Sequence, residues 1–276
     1  EGYLAKLMMI KQAKYTIDMA YYIYADDDAG LALLNEIKNA VRRGVHVRIM
    51  FDSMGSLAGT LKRNPHFKSL LTHSDDFAGL VTDPVSQKKT NVRANIEVVV
   101  FNPVSNVLAG ARDIAIRLRN GLNQFLPEAL RGTDLQVTRW NPNRRSHEKM
   151  LLVDALFPDL AVAILGGANI ANRYFALDPN DPNNFKDFEI LVKNASGGEN
   201  IVQHFYDHFE RLYFLRANRK VYESFYGQIA GREAYYESLE QATLNVLAVT
   251  KNELFKLQED YHANDFGQRY LRSDFY

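Results

Sequence analysis

The residues of this chain best suited to chemistry are a histidine and a lysine, His147 and Lys149, which lie two positions apart. They begin the spacing His-x-Lys-x4-Asp, which Asp154 completes, and a Gly-Gly-Ala-Asn turn starts twelve residues after the aspartate. In a β-strand, side chains at even spacing share one face, so the imidazole and the ammonium should converge. These two groups, close to a glycine turn that ends at Asn169, indicate a binding site for a phosphate group.

The same residues suit a phosphodiester transfer in two steps through a covalent intermediate. A histidine is a good nucleophile toward phosphorus when one ring nitrogen is free and the other is held by an acceptor. We assign this role to His147, and we expect Lys149 to bind a non-bridging phosphate oxygen and offset the charge of the transition state. Asn169 is expected to donate a hydrogen bond to the same phosphate. Asp154 lies at odd spacing from His147, so we expect it to face away and to have a structural role.

The motif and several segments around it resemble the phospholipase D superfamily, and most closely its bacterial cardiolipin synthases. His-x-Lys-x4-Asp followed by Gly-Gly-x-Asn is the signature of that superfamily. The segments that carry the rest of the resemblance are residues 14–24, 42–52, 95–103, 143–147, 169–175 and 187–192, within residues 5 to 215.

The resemblance implies an α/β fold, a phospholipase D-like lobe with a mixed, mostly parallel sheet flanked by helices. It also implies that Asp187, the acidic residue that opens the strand after the glycine turn, fixes the tautomer of His147. The alternative is that Asp187 is a turn residue at the start of that strand. The resemblance implies no cofactor and no metal. We therefore interpret His204 and His208, which lie four residues apart, as part of a solvated helix face.

The composition excludes some kinds of chemistry and leaves others open. An apolar fraction of 46% is typical of a globular protein with a real core, and no apolar run reaches the roughly 18 residues of a membrane-spanning helix. The absence of cysteine excludes disulfides, thiolate chemistry and cysteine-ligated zinc. A net charge of +0 produces no overall field that favours nucleic acid or an anionic membrane.

Hydrophobic periodicity and capping residues predict alternating strands and helices. An acidic run at 26–28 and a basic pair before Gly44 mark the two ends of one helix, and the strands on either side of it predict a right-handed βαβ unit. Residues 53–94 are predicted to hold a helix and an exposed loop. The predicted helices are 3–13 and 26–43, and the predicted strands are 16–24, 45–51, 96–101, 134–140, 147–153, 161–165 and 188–192.

A further helix is predicted within residues 104–132, with four large apolar residues at helical spacing: Ile114, Leu118, Leu122 and Phe125. One interpretation is a helix that packs against the core. The other is a helix that faces a membrane or acts as a lid, because it also carries Arg112, Arg117 and Arg119. The sequence leaves both open.

A loose internal repeat suggests how the chain is divided. Residues 10–17 recur as residues 239–246, and we expect both copies to lie at a helix-to-strand transition. We therefore predict a first lobe at residues 1–216, followed by a linker helix and the start of a second, incomplete lobe at residues 217–276. Family enzymes commonly have two lobes that each donate one His-x-Lys motif, and no such motif follows Leu239. We expect a longer chain, or another copy, to supply the second motif, and this chain alone to be inactive. The chain starts at Glu1 without a methionine, so an N-terminal anchor or signal also stays open.

The function that the resemblance implies is phosphatidyl transfer on phospholipids through a phosphohistidine, as in a cardiolipin synthase. Alternatives are a phospholipase D that hands the intermediate to water, a nuclease or phosphodiesterase acting as a homodimer, and a non-catalytic binding module. Neutral net charge and the lack of a basic-aromatic stripe disfavour nucleic acid. The expected partners are a phospholipid such as phosphatidylglycerol, a bacterial membrane surface and, for a shared site, a second copy.

Overall fold

The computed structural model describes residues 2–52, 80–82, 89–91, 96–102, 107–125, 127–128, 145–178, 180–185, 187–194, 198–220 and 236–250. The strands are β1 (Thr16–Tyr21), β2 (His46–Asp52), β3 (Leu80–Thr82), β4 (Lys89–Asn91), β5 (Ile96–Phe101), β6 (Lys149–Val153), β7 (Val162–Gly166), β8 (Glu189–Lys193) and β9 (Arg219–Lys220). The helices are α1 (Gly2–Gln12), α2 (Asp28–Arg42), α3 (Val107–Asn123), α4 (Asn172–Phe175), α5 (Ile201–Tyr213) and α6 (residues 236–250).

The predicted βαβ unit is confirmed. Asp27 caps α2 by accepting a hydrogen bond from the backbone N–H of Gly30, and the helix ends just before Gly44, whose φ of 97° favours glycine. The flanking strands β1 and β2 pair in parallel, from Thr16 opposite His46 onward. β5 then extends the parallel part of the sheet on the other side of β2.

The main sheet is mixed, as predicted, but it is not mostly parallel. Its strand order is β8-β7-β6-β1-β2-β5-β9, in which only β1–β2 and β2–β5 are parallel pairs among the described strands. The pairs β1–β6, β6–β7, β7–β8 and β5–β9 are antiparallel. One physical reason is chain length: β6 and β7 are joined by residues 154–161, too few for the crossover that parallel neighbours need.

Most predicted strands are present with small shifts at their ends. β5 has the predicted bounds, whereas β6 begins at Lys149 and leaves His147 just outside the strand. β1 ends at Tyr21, and Tyr24 makes an isolated parallel bridge with Ile170. The strand predicted at 134–140 and the helix predicted after residue 52 lie outside the described residues. β3 and β4 form a small antiparallel pair that the sequence pattern did not indicate.

The helix-to-strand transition predicted for residues 239–246 is wrong, because residues 236–250 are helical throughout. Three apolar residues at helical spacing are buried there: Leu239, Ala242 and Val246. Thr243 Oγ1 accepts a hydrogen bond of 3.0 Å from Asn35 Nδ2 on α2. The segment therefore packs on α2 as a helix, and the start of a second lobe in this region stays a prediction.

Apolar side chains cover both faces of the sheet. One cluster joins the strands to α1, α2 and α6, and the other joins them to α5 through Val202, Phe209 and Tyr213. Burial on both faces explains why the strands are almost continuously apolar. No helix of the described residues is long and apolar enough to cross a membrane.

Candidate active site

The start of β6 lies beside the carboxyl ends of the two central parallel strands. β6 runs antiparallel to β1 with Lys149 opposite Tyr21, so His147 lies just beyond the end of β1. The buried carboxylate of Asp52, the last residue of β2, accepts a 2.9 Å hydrogen bond from the backbone N–H of Ser146. This bond fixes the segment that carries His147 at the sheet edge where α/β proteins commonly bind ligands.

The predicted convergence of His147 and Lys149 is observed. Lys149 Nζ lies 3.1 Å from His147 Nδ1 and 3.2 Å from Nε2, and it donates a 2.9 Å hydrogen bond to the His147 carbonyl oxygen. An atom equally close to both ring nitrogens lies over the face of the imidazole, since in the ring plane it would collide with Cε1. The ring edge is therefore not covered by the ammonium, and the imidazole is exposed.

Burial changes the electrostatics of Lys149. The side chain is buried, and desolvation lowers the pKa of its ammonium, while the negative charges of Asp187 and Glu148 act in the opposite direction. A cation in such a place interacts more strongly with a phosphate than an exposed lysine does, because less water screens it. The two acidic neighbours help to keep the ammonium charged.

Tyr22 is a site residue that the sequence pattern did not single out. Its ring centroid lies 4.9 Å from that of His147 at an interplanar angle of 56°, and Lys149 Nζ lies 5.7 Å from its centroid. Tyr22 therefore borders both proposed catalytic side chains. Only the antiparallel pairing of β1 with β6 brings it there, and that pairing cannot be read from the local sequence.

The glycine turn makes room for Asp187. A Cβ on Gly167 would lie 2.7 Å from Asp187 Oδ1, and a Cβ on Gly166 would lie 2.3 Å from the Phe188 carbonyl oxygen. Both glycines are thus required by the close approach of the chain that leads into β8. Asp187 is exposed, and within the described part of the chain it makes no hydrogen bond to His147. The negative charge of Asp187 acts on Lys149 instead, and it raises the pKa of the ammonium.

Asn169 has a buried amide that ties the glycine turn to the end of β1. Its Oδ1 accepts a 2.9 Å hydrogen bond from the Ile23 backbone N–H, and its Nδ2 donates a 2.9 Å hydrogen bond to the Tyr174 hydroxyl. Nδ2 carries a second hydrogen, so the bond to Tyr174 does not use the whole donor capacity of the amide. Donation from Asn169 to a phosphate stays a prediction.

Asp154 lies at the opposite end of β6 from His147, as its odd spacing and distance along the strand predict. Its carboxylate accepts hydrogen bonds from three successive backbone N–H groups, those of Lys14 (2.9 Å), Tyr15 (2.7 Å) and Thr16 (2.8 Å). Its own backbone has a φ of 50°. Asp154 therefore holds the connection between α1 and β1 against the end of β6.

The two histidines of α5 lie on an exposed face, and each contacts a glutamate. His204 Nε2 is 3.2 Å from Glu199, and His208 Nε2 is 3.3 Å from Glu148. Within the described residues, no cluster of three or more histidine or acidic side chains could hold a metal ion.

Residues 7–213 match the protein family described as "Cardiolipin synthase, PLD-like domain". The chain belongs to this family. The match includes β1, β2 and β5 to β8, together with every proposed catalytic residue, and it confirms the resemblance to the phospholipase D superfamily and the α/β fold class.

Two relatives are similar to the chain over most of its length, at low sequence identity. The chain is 28% identical over 191 residues to a protein of Helicobacter pylori (strain ATCC 700392 / 26695), covering 69% of this chain and 28% of the relative. It is 24% identical over 217 residues to Cardiolipin synthase C of Escherichia coli (strain K12), covering 79% of this chain and 34% of the relative. The chain thus spans about a third, or less, of the length of these relatives.

Among solved structures, the chain is similar to Nuc, a phospholipase D family member from Salmonella typhimurium. That likeness has a TM-score of 0.43 and 12% sequence identity, and it covers 79% of this chain and 90% of the other. Membership of the family "Cardiolipin synthase, PLD-like domain" supports phosphodiester chemistry.

Proposed function

We propose that this chain provides one half-site of an enzyme that transfers phosphatidyl groups between phospholipids through a phosphohistidine on His147. The observation that carries the proposal is the buried Lys149 ammonium over the exposed His147 ring, at the carboxyl edge of a phospholipase D-like domain. A relative named Cardiolipin synthase C supports phospholipids as the substrate class. We place the reaction at a bacterial membrane surface, where such substrates are found.

In the first step, a ring nitrogen of His147 attacks the phosphorus of a phospholipid. The N–P bond forms, the bond between phosphorus and the headgroup alcohol breaks, and the leaving oxygen takes a proton from a general acid. The Lys149 ammonium binds a non-bridging oxygen, where negative charge has to be stabilised in the transition state. Asn169 is proposed to donate a second hydrogen bond to the phosphate.

In the second step, an acceptor hydroxyl attacks the same phosphorus. The new P–O bond forms, the N–P bond breaks, and the acceptor gives its proton to the group that served as general acid. If the acceptor is the glycerol headgroup of another phospholipid, the product is a cardiolipin. If water is the acceptor, the product is phosphatidic acid, as in a phospholipase D, and the chemistry at His147 is the same.

The general acid is proposed to be the histidine of a second motif. The 276 residues contain one His-x-Lys-x4-Asp run, that of His147. We propose that residues 1–216 form the first lobe and that residues 217–276 lead into a second, which would supply the other motif. A second copy of this chain, with two His147 residues paired across an axis, would provide an alternative source.

The test is turnover of phosphatidylglycerol, labelled in one acyl chain, by the protein product of the complete gene. We expect labelled cardiolipin and free glycerol, identified by mass spectrometry, and no product from a His147→Ala variant. Labelled phosphatidic acid as the main product would make the protein a hydrolase. Equal product from wild type and His147→Ala would refute the site.

A further inference from the structure

The apolar face of α3 points away from the protein. The exposed fractions are 63% for Ile114, 65% for Leu118 and 68% for Leu122, and 87% for Phe125 in the turn that follows the helix. Ile116, on the opposite side of the helix, is only 6% exposed. The four large apolar residues that the sequence places on one stripe are thus on the outer side of α3. The interpretation of α3 as a helix that packs through this stripe is wrong.

The stripe is continuous along the helix. Ile114, Leu118 and Leu122 follow one another at four-residue steps, and Phe125 comes three residues later. Residues three and four apart are neighbours on a helix surface, so Ile114, Leu118 and Leu122 form one elongated apolar patch, and Phe125 follows in the turn after the helix. A soluble protein surface seldom presents contiguous large apolar side chains without a binding partner.

Positive residues border the stripe. The helical period places the Cα atom of Arg117 along one border and the Cα atoms of Arg112 and Arg119 along the other, and Arg119 is exposed. The single acidic residue of α3, Asp113, has its Cα atom on the side away from the stripe. An apolar stripe between two basic borders is complementary to a surface that is apolar inside and anionic outside. A bilayer that contains anionic phospholipids has this arrangement.

We propose that α3 is a membrane-docking helix. It lies in the plane of an anionic phospholipid bilayer, with Leu118 and Leu122 among the upper acyl chains and Arg119 at the lipid phosphates. This goes beyond the proposed function, because docking depends on no group of the active site. A second copy of the chain, or another protein, would contact α3 mainly through the apolar stripe and would not require anionic lipid.

The first test uses the cysteine-free sequence. A Leu118→Cys variant carries a polarity-sensitive fluorophore, and the matched control carries it on Leu244→Cys, an exposed leucine of α6. Vesicles of phosphatidylglycerol and phosphatidylcholine should shift the emission of the first probe to the blue and leave the second unchanged. Equal shifts at both positions, or no shift at Leu118→Cys, would overturn the proposal.

The second test measures vesicle binding by sedimentation. Replacing both Leu118 and Leu122 by serine should weaken binding at least about tenfold, because two large apolar side chains no longer enter the bilayer. The paired control replaces Leu244 and Leu247, two exposed leucines of α6, by serine and should bind as the wild type does. Equal losses in both pairs would show that α3 has no special role.

The third test separates lipid from protein as the occupant. Arg119→Glu should weaken binding to phosphatidylglycerol vesicles about tenfold or more and have little effect on pure phosphatidylcholine, whereas Arg119→Lys should bind normally. If replacing Leu118 and Leu122 by serine instead converts a dimer to monomers and leaves vesicle binding intact, α3 is a protein interface and the proposal fails. Vesicle binding without phosphatidylglycerol turnover by the protein product of the complete gene would contradict the proposed function and leave the docking helix supported.

Discussion

Lys149 combines a buried position with a charge that its neighbours support. Burial lowers the pKa of the ammonium, and Asp187 and Glu148 raise it again in part. Its hydrogen bond to the His147 carbonyl oxygen holds it against the residue that we propose as the nucleophile. A phosphate that reaches the exposed imidazole therefore meets a cation already in position, and this kind of preorganisation is what stabilises a charged transition state.

The first prediction concerns the Lys149→Ala variant of the protein product of the complete gene. Turnover should fall by about 10²–10³, the usual scale for the loss of one charge contact in the transition state. Binding to phosphatidylglycerol vesicles should persist, because it depends on other surfaces. The control is Lys11→Ala, which removes an exposed lysine at the end of α1. Parallel losses of binding and turnover in Lys149→Ala would mean that Lys149 acts mainly in substrate binding.

The second prediction distinguishes two roles for Asp187. If Asp187 acts through Lys149, Asp187→Asn removes a negative charge that raises the pKa of Lys149, so the ammonium loses its proton at lower pH. In the protein product of the complete gene, the alkaline limb of the kcat/KM profile should then move to lower pH, with the folded state little changed. If instead only the acid limb moves, Asp187 acts on His147, as the family resemblance implies, through a contact that forms with substrate.

At the level of elements, Asp154 connects β6 to the start of the chain. Its three hydrogen bonds from backbone N–H groups reach across from the end of β6 to the α1–β1 connection. β6 is thereby held at both ends, by Asp154 at one and by the bond from Ser146 to Asp52 at the other. The position of His147 depends on both attachments.

The third prediction tests this anchor. Asp154→Ala should lower the free energy of unfolding by about 2–4 kcal/mol, because three backbone donors lose a charged acceptor. Asp154→Asn should cost less, since Oδ1 can still accept from Tyr15 and Thr16 while the amide group faces the N–H of Lys14. Urea unfolding followed by circular dichroism measures both. Asp159→Ala, an exposed change in the same loop, is the control, and a loss there equal to that of Asp154→Ala would exclude a specific anchor.

The elements predicted best from sequence are those whose signals are local. The helix α2 has an acidic cap and a glycine past its end, and β5 is a short apolar run; both were placed within one or two residues. The repeat at 239–246 led to a wrong prediction of a helix-to-strand transition, because the same residue pattern also fits a helix that buries one face on α2. The outward face of α3 could not be predicted, because helical periodicity identifies an apolar face but not what covers it.

In the candidate active site, too, local signals could be predicted from sequence and contacts between distant segments could not. The convergence of His147 and Lys149 follows from spacing alone, whereas Tyr22 joins them only through the antiparallel pairing of β1 with β6. The position of Asp187 against Gly167 depends on how β8 returns to the sheet. Pairings between distant segments have no signal in a single sequence, and this is why the mostly parallel sheet was also predicted wrongly.

At the scale of the whole molecule, we propose that the site is completed by a second motif. The described sheet brings His147 and Lys149 together at one edge, and the 276 residues contain one His-x-Lys-x4-Asp run. The mechanism requires a proton donor for the leaving alcohol as well as a nucleophile. One histidine in its nucleophilic form cannot provide both in the same step.

The fourth prediction follows from this requirement. A monomer of these 276 residues, verified by light scattering, should show little or no turnover of phosphatidylglycerol. Activity should appear with a second lobe or in a dimer. If dimers are active, mixing His147→Ala chains with wild-type chains should lower the activity of each wild-type chain, because mixed dimers lack one histidine. Robust turnover by a demonstrated monomer would disprove the shared site.

The covalent intermediate on His147 tests the central claim most directly. The product of the complete gene is mixed with phosphatidylglycerol labelled in its phosphate, quenched in alkaline detergent, digested and mapped by mass spectrometry, because a phosphohistidine survives base and is lost in acid. We predict base-stable, acid-labile label on the peptide that carries His147, and none in His147→Ala. Label on a histidine of the second motif instead would make that histidine the nucleophile and His147 the general acid. Continued turnover with no labelled histidine would contradict covalent catalysis at this site.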